Sequence, residues 1–359
     1  MWKKGRRRKK KKAVAPAFES PFFKDFYPKS DTGYVGLTNQ GSTCYLNSFL
    51  QTLVALPHFR QVIFSQENNS DGKSKAVPTT NDASNRQIQT QLALLFARLK
   101  LSEMGAISTM PLCKSFGWDR ASMFRQHDVQ ELYHVLNRSL RCQNKDLGPH
   151  LDNIFFGKME TTMKCTTCSS KREKVEAFSD LSLVVKGFGH LEESLKAFTA
   201  EERLEGENAV MCSICGGKQP YIRKTAFKEL PEVLVIQLKR FGWDFSNGRG
   251  KRVKNEDRME IPYELLVAAS SDKNDDDDDA DDAKMTKYRA VSVLMHSGLA
   301  ATGHYYAFVQ PKGRGSTWCQ FDDHRITQIS AVDQNRMFQS LSQHLEKRKS
   351  SSSSSSSSS

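Results

Sequence analysis

The chain has 359 residues, 38% hydrophobic and 26% charged, with a formal net charge of +12. No apolar run reaches the roughly 18–20 residues that cross a bilayer, and the first residues lack the apolar core of a secretory signal, so neither membrane insertion nor secretion is expected. The charge is local: residues 1–12 hold nine Lys/Arg and no acid, leaving +3 of the +12 for the rest, too little for a phosphate-binding face on the folded part.

Residues 1–32, with Pro16, Pro21 and Pro28, read as a disordered basic arm. Its Lys/Arg block suits a nuclear-import signal, or equally a solvated tail that touches RNA or acidic surfaces. The expected location is the nucleus, the cytoplasm or both.

The segment Gly36-Leu-Thr-Asn-Gln-Gly-Ser-Thr-Cys44 is a polar, Gly-containing loop leading into an amphipathic helix. Leu46, Phe49, Leu50, Leu53 and Val54 recur at helical spacing, Ser42 or Thr43 can cap the helix, and Pro57 stops it. Cys44 then falls in the first turn, where free N–H groups and the helix dipole favour the thiolate, the nucleophilic form. Asn39, on the same loop, can aim an amide N–H at an oxyanion beside the sulfur. A lone Cys in such a place reads as a small buried residue, so a nucleophile needs a base and an orienting acid from elsewhere.

Two more helices follow a polar loop from Ser65 to Arg86: one marked by Ile88, Leu92, Leu95, Phe96 and Leu99, and one from about Asp128 to Leu140 with Val129, Leu132, Val135, Leu136 and Leu140 on one side. From about residue 151 the pattern turns to strands at 155–163, 178–185, 233–238, 288–295, 304–309 and 318–322, the last three forming a meander. Helices first and strands later predict an α+β fold. Asp272 to Asp282 carries eight Asp and one Lys, and self-repulsion predicts a disordered insertion at about 271–285. Residues 336–359 form a polar, Ser-rich tail.

Eight Cys in a chain without a secretory signal suggest metal or catalysis rather than disulfides. Cys165-Thr-Thr-Cys168 and Cys212-Ser-Ile-Cys215 form two CxxC knuckles, a ligand set that completes one tetrahedral zinc site; four free thiols or a redox pair are the alternatives. For a base, His304 stands out: it follows Gly303 and opens a strand, and Asp322 ends the next predicted strand, where antiparallel pairing brings it beside the imidazole. His296 is the rival, at the end of the preceding strand. His58, His134 and His324 read as surface, packed and solvated residues.

These segments together are familiar. The Cys44 loop, Gln126-His-Asp-Val-Gln-Glu-Leu132, the two CxxC pairs, Gln237-Leu-Lys-Arg-Phe241, Gly303-His-Tyr-Tyr-Ala-Phe308 and Trp318 to Asp323 occur in the order found in ubiquitin-specific proteases, which the chain resembles over residues 33–335. The resemblance implies a papain-like α+β fold: a helical thumb at about 33–145, zinc-tipped fingers at about 150–230 and an antiparallel palm at about 231–335. It implies Cys44 as nucleophile, His304 as base, Asp322 as orienter and Asn39 as oxyanion donor, with Asp323 supporting that site through a water. Gln126, Asp128 and Glu131 would meet the arginine-bearing tail of ubiquitin, and Tyr305 would line the channel for its terminal glycines. Asp128 also suits a helix N-cap. The implied reaction is isopeptide hydrolysis through a thioester, with one structural zinc and no cofactor for the chemistry. The implied partners are ubiquitin, polyubiquitin and ubiquitinated proteins, with no specific nucleic acid and no membrane. A silent ubiquitin-binding module and a protease for another ubiquitin-like modifier are the alternatives.

Overall fold

The computed structural model describes residues 29–65, 88–118, 128–246, 248, 250–270, 284–300, 302–311 and 316–338. Most of the basic arm, Gln126, the Asp-rich insertion and the Ser-rich tail lie outside the described residues. No described helix is long and apolar enough to cross a membrane.

The first half is helical: α1 (Cys44–Ala55), α2 (Pro57–Phe64), α3 (Ile88–Leu101), α4 (Met110–Ser115), α5 (Val129–Gln143) and α6 (Leu147–Phe155). Their apolar faces meet in one core that includes Tyr45, Leu46, Leu50, Phe59, Leu92, Phe96, Leu136, Leu140, Leu151 and Phe155. Helix α1 is buried nearly all round, as expected of a helix enclosed by other elements. Two of its buried polar residues bond inside: Ser48 Oγ donates to the Cys44 carbonyl at 2.8 Å and Gln51 Nε2 to the Val35 carbonyl at 3.0 Å. Truncating one of the fully buried leucines of such a core costs about 2–5 kcal/mol.

Between these helices, β1 (Gly36–Thr38) pairs in parallel with β2 (Ala106–Ser108). The second half is mostly antiparallel. Strands β3 (Gly157–Cys165), β4 (Lys171–Phe178), β6 (Glu202–Leu204) and β9 (Tyr221–Glu229) form a sheet ordered β4-β3-β9-β6. A small hairpin of β7 (Val210–Cys212) and β8 (Gly217–Gln219) stands at the far end. Strand β5 (Leu181–Val184) pairs in parallel with β10 (Ile236–Lys239), and α7 (Leu191–Thr199) covers β5 and β9. Strands β11 (Phe241–Asp244) and β12 (Lys251–Lys254) form one hairpin, β13 (Glu264–Ala269) and β14 (Lys284–Arg289) another. The last sheet is the meander β15 (Ser292–Gly298), β16 (Gly303–Val309), β17 (Cys319–Asp322) and β18 (Arg325–Gln328), followed by the short helix α8 (Ala331–Met337).

The α+β order holds, with local corrections. Phe155 closes α6 and the strand begins at Gly157. The predicted strand 178–185 is broken at Ser179-Asp180, and 288–295 at Ala290-Val291, because each half pairs with a different neighbour. Of residues 233–238, only Ile236 onward forms a strand, the half-buried β10. Val135 is 38% exposed, since Leu132, Tyr133, Leu136 and Leu140 already fill the inner face of α5.

The helical half is fastened to the meander in two places. Helix α1 lies against β16 and β17. Strand β1 lies against the β17–β18 turn: the Leu37 N–H donates to the Asp323 carbonyl at 2.9 Å, and a Cβ on Gly36 would stand 2.6 Å from His324 Cα. That turn needs Asp323 in the left-handed region, φ 52°, which Asp tolerates better than most residues.

Candidate active site

The loop before α1 folds around Asn39. Its Oδ1 accepts from the N–H of Gly41 at 3.0 Å and of Thr43 at 3.1 Å, while Thr43 Oγ1 accepts from Gln40 N–H at 2.9 Å. Thr43 holds the N-cap position without the expected side-chain cap, because its hydroxyl is turned back to the loop. Cys44 opens α1 and is 3% exposed.

Across the helix–meander boundary, the backbone N–H of Tyr305 donates to Cys44 Sγ at 3.4 Å. The sulfur therefore sits against the residue that follows His304. The β16–β17 register sets Ala307 opposite Phe321, so Asp322 leaves β17 toward the His304 end of β16. His304 Nε2 and Asp322 Oδ1 are 2.5 Å apart. A carboxylate accepts only, so Nε2 is the donor of this contact. The structure thus sets the Cys44 thiol of α1 against the residue after His304, and the His304 imidazole of β16 against the Asp322 carboxylate of β17.

Burial raises the Cys44 thiol above its ordinary value, with the Asp323 charge adding to it; N–H donation from Tyr305, Tyr45 and Cys44 itself opposes the rise. The helix start does favour the thiolate, as its position predicts, but exclusion from water outweighs it. The sequence shows the helix dipole and not the tertiary burial.

Asn39 and Asp323 meet directly: Asn39 Nδ2 donates to Asp323 Oδ2 at 2.9 Å. Asp323 Oδ1 accepts from Asn47 Nδ2 at 2.8 Å. Asn47 was not singled out from the sequence. Its signal is a polar residue one turn after Cys44, where i and i+3 share a face.

His296 packs differently from a base. Its ring lies edge-on to Tyr305 at 4.7 Å and to Phe241 at 5.1 Å, against the space Gly303 leaves by lacking a Cβ. Burial, then the charges of Lys254 and Arg252, hold its imidazole below the ordinary value and hence neutral. His58 starts α2 and pairs with Glu232 at 2.7 Å, and His134 lies 3.2 Å from Asp180.

Asp128 caps α5, its Oδ1 accepting from Gln130 N–H at 2.8 Å. Glu131 is exposed one turn on, and both line an open groove of about 490 Å³ with Gln130, His134, Val135 and Arg138. Burial pushes the Tyr305 hydroxyl up to about 12, with the charges of Asp128 and Cys44 contributing. Gln126 lies outside the described residues.

Far from the cleft, Cys165, Cys168, Cys212 and Cys215 bring their Sγ atoms within 4.8 Å of one another. Each knuckle closes in the same way: Ser169 N–H donates to the Cys165 carbonyl and Gly216 N–H to the Cys212 carbonyl, both at 3.0 Å, with Ser169 and Gly216 at φ 59° and 73°. Tyr221, opposite Cys165 on β9, holds the Cys212 thiol down to about 5, whereas Cys168 and the other thiols push Cys215 up to about 12. Four sulfurs this close cannot all ionise without a cation among them.

The sequence profile described as "Ubiquitin carboxyl-terminal hydrolase" matches residues 35–354. Ubiquitin carboxyl-terminal hydrolase 15 of Saccharomyces cerevisiae is 35% identical over 314 residues, 86% of this chain and 24% of that protein. Ubiquitin C-terminal hydrolase 12 of Arabidopsis thaliana is 39% identical over 302 residues, 83% of this chain and 26% of that protein. The chain thus spans about a quarter of the length of the curated relatives it matches. Among solved structures, a chain of the SAGA Ubp8/Sgf11/Sus1/Sgf73 DUB module bound to ubiquitin aldehyde superposes with a TM-score of 0.68 at 25% identity, covering 83% of this chain and 66% of that one.

Proposed function

Because this chain belongs to the ubiquitin carboxyl-terminal hydrolase family, we propose that it is a deubiquitinating thiol protease hydrolysing the isopeptide bond at the C-terminal glycine of ubiquitin. Two contacts support this reading: the Cys44 thiol is held by the N–H of Tyr305, the residue after His304, and the His304 imidazole by the Asp322 carboxylate.

In this reading His304 Nδ1 takes the Cys44 proton as the sulfur attacks the glycine carbonyl, and Asp322 stabilises the imidazolium that results. The oxyanion meets the Cys44 backbone N–H and the Asn39 amide. One Asn39 Nδ2 hydrogen is committed to Asp323, which leaves the second for the oxyanion. His304 then protonates the departing lysine amine, and later activates the water that releases the thioester. Asp128 and Glu131 attract the cationic ubiquitin tail, and Tyr305 narrows the channel to glycine. Gln126 is assigned to the same tail site.

The helical half takes the part of the thumb, the meander that of the palm, and the β4-β3-β9-β6 sheet with β7–β8 that of the fingers. At the fingertips the donor set suits one structural zinc: Cys168 and Cys212 Sγ are 3.6 Å apart, near the roughly 3.8 Å edge of a tetrahedron with Zn–S bonds of about 2.3 Å. The ion would join β3 and β4 to β7 and β8 and takes no part in the reaction. Ubiquitin, polyubiquitin and ubiquitinated proteins are the proposed partners, and the nucleus, the cytoplasm or both is the proposed location, with the basic arm read either as an import signal or as a solvated tail.

Hydrolysis of ubiquitin carrying a C-terminal fluorophore amide tests the proposal. Wild type should release the fluorophore and Cys44→Ala should not. Turnover on a different ubiquitin-like modifier alone would replace ubiquitin as the substrate, and binding without turnover would make the chain a silent module.

A further inference from the structure

Helix α3 is apolar on two sides. Ile88, Leu92, Leu95 and Phe96 face the core, whereas Leu94 and Leu101 point away from it, 50% and 74% exposed. Seven residues make nearly two turns, so Leu94 and Leu101 share one outer stripe, with the half-buried Ala97 between them. Arg98 and Lys100, both exposed, flank the stripe on either side. A helix that is apolar all round is normally covered all round.

The chain enters the fold at the end of this helix. Lys29, the first described residue, pairs with Glu103 at 3.4 Å, two residues past Leu101. The Gly36 N–H donates to the Gly105 carbonyl at 2.7 Å, so the entry segment is held to the turn after α3 at both ends. An exposed ion pair adds little stability, but this one fixes the point of entry. Upstream of it the sequence changes character. The Lys/Arg block stops at Lys12, and residues 18–27 hold five aromatic residues, Phe18, Phe22, Phe23, Phe26 and Tyr27. Solvated tails are poor in aromatic residues, because they have no core in which to bury them.

We propose that the segment 18–27 of this chain docks along the outer face of α3, its aromatic side chains covering Leu94 and Leu101. Length fits. Leu94 lies nine residues before Glu103, about 14 Å along a helix that rises ~1.5 Å per residue. Phe23 and Phe22 precede Lys29 by six and seven residues, a reach of about 20 Å at ~3.3 Å per residue. Phe22 and Phe23 therefore reach Leu94, and Phe26 and Tyr27 reach Leu101. Charge fits as well: Glu19 and Asp25 are opposite in sign to Arg98 and Lys100. The basic block before residue 13 stays outside the contact. The docking is independent of the proposed chemistry.

Amide hydrogen exchange on the full chain tests this. After correction for intrinsic rates, amides of residues 22–27 should exchange at least about tenfold more slowly than those of the Ser-rich tail, and dilution of the protein should not change that. Leu94→Glu with Leu101→Glu, both at exposed positions, should abolish the protection and leave exchange in the β15–β18 meander unchanged. Phe22→Ser with Phe26→Ser should lower the melting temperature of the wild type and not that of the Glu double variant, since both pairs remove one contact. Absence of protection in the wild type, protection kept in the Glu double variant, or a melting loss in both backgrounds or in neither would overturn the proposal. Protection that falls on dilution would give the face to a second copy of the chain and overturn it too.

Discussion

Asp323 joins Asn39 and Asn47 through its two carboxylate oxygens, at 2.9 and 2.8 Å, while its own carbonyl receives the Leu37 N–H. One residue of the β17–β18 turn therefore orients the proposed oxyanion donor and fastens β1 and α1 to the meander. The same carboxylate raises the Cys44 thiol, so the group that positions the oxyanion site also opposes a charged nucleophile at rest.

Asn39→Ala should lower kcat by about 10²–10³ with little change in KM, the expected effect of losing one donor to a developing oxyanion. Asp323→Ala should reproduce most of that loss with Asn39 still present. Steady-state kinetics on the fluorophore substrate read both. An Asp323→Ala enzyme with full kcat would separate Asp323 from the oxyanion site.

The raised Cys44 thiol sets the direction of a pH effect. Burial favours the neutral form, so the thiolate of the free enzyme appears only as pH rises beyond the ordinary thiol range. Alkylation by iodoacetamide should accelerate across that interval. Asp323→Asn removes a negative charge and should move the profile to lower pH. The linked stability has the matching sign: it is intact below the unfolded thiol value and declines as pH rises through the higher folded value.

Asp128 serves two ends that substitution separates. Asn still caps a helix but carries no charge. Asp128→Asn should therefore keep the melting temperature and raise KM for ubiquitin substrates, whereas Asp128→Ala should also lose about 0.5–2 kcal/mol of stability. Denaturant melts alongside kinetics distinguish the two.

Gly36→Ala would press a Cβ onto the backbone of Asp323 and His324, at 2.7 and 2.6 Å, where no side chain can yield. A destabilisation of about 1–3 kcal/mol is expected, together with reduced turnover, because β1 and the Asp323 turn part. A melt and a turnover measurement on one preparation check both.

Metal analysis should find one zinc per chain, lost on Cys215→Ser and on treatment with a strong chelator. Loss should lower thermal stability and expose the β7–β8 hairpin to proteases, since the four thiols otherwise crowd within 4.8 Å. Metal-free protein of unchanged stability would refute the zinc assignment.

The legible parts of this protein are those written locally. Helical spacing after Cys44 places the thiol at the first turn of α1, and strand alternation with the Gly303 break brings His304 to Asp322. The CxxC pairs announce their cluster although 43 residues separate Cys168 from Cys212. What escaped depends on tertiary neighbours. The breaks at Ser179-Asp180 and Ala290-Val291 arise where a strand changes partner, which alternation cannot register. Asn47 gains its role only when the β17–β18 turn arrives beside α1. The thiol of Cys44 rises because the fold excludes water from it, and its sequence context points the other way.

The most direct test of the central claim is labelling with ubiquitin bearing a C-terminal electrophile, followed by mass mapping of the adduct. The account predicts one covalent ubiquitin on Cys44, absent in Cys44→Ala and strongly slowed in His304→Ala. A folded wild type that forms no adduct, or an adduct on another cysteine, would contradict it.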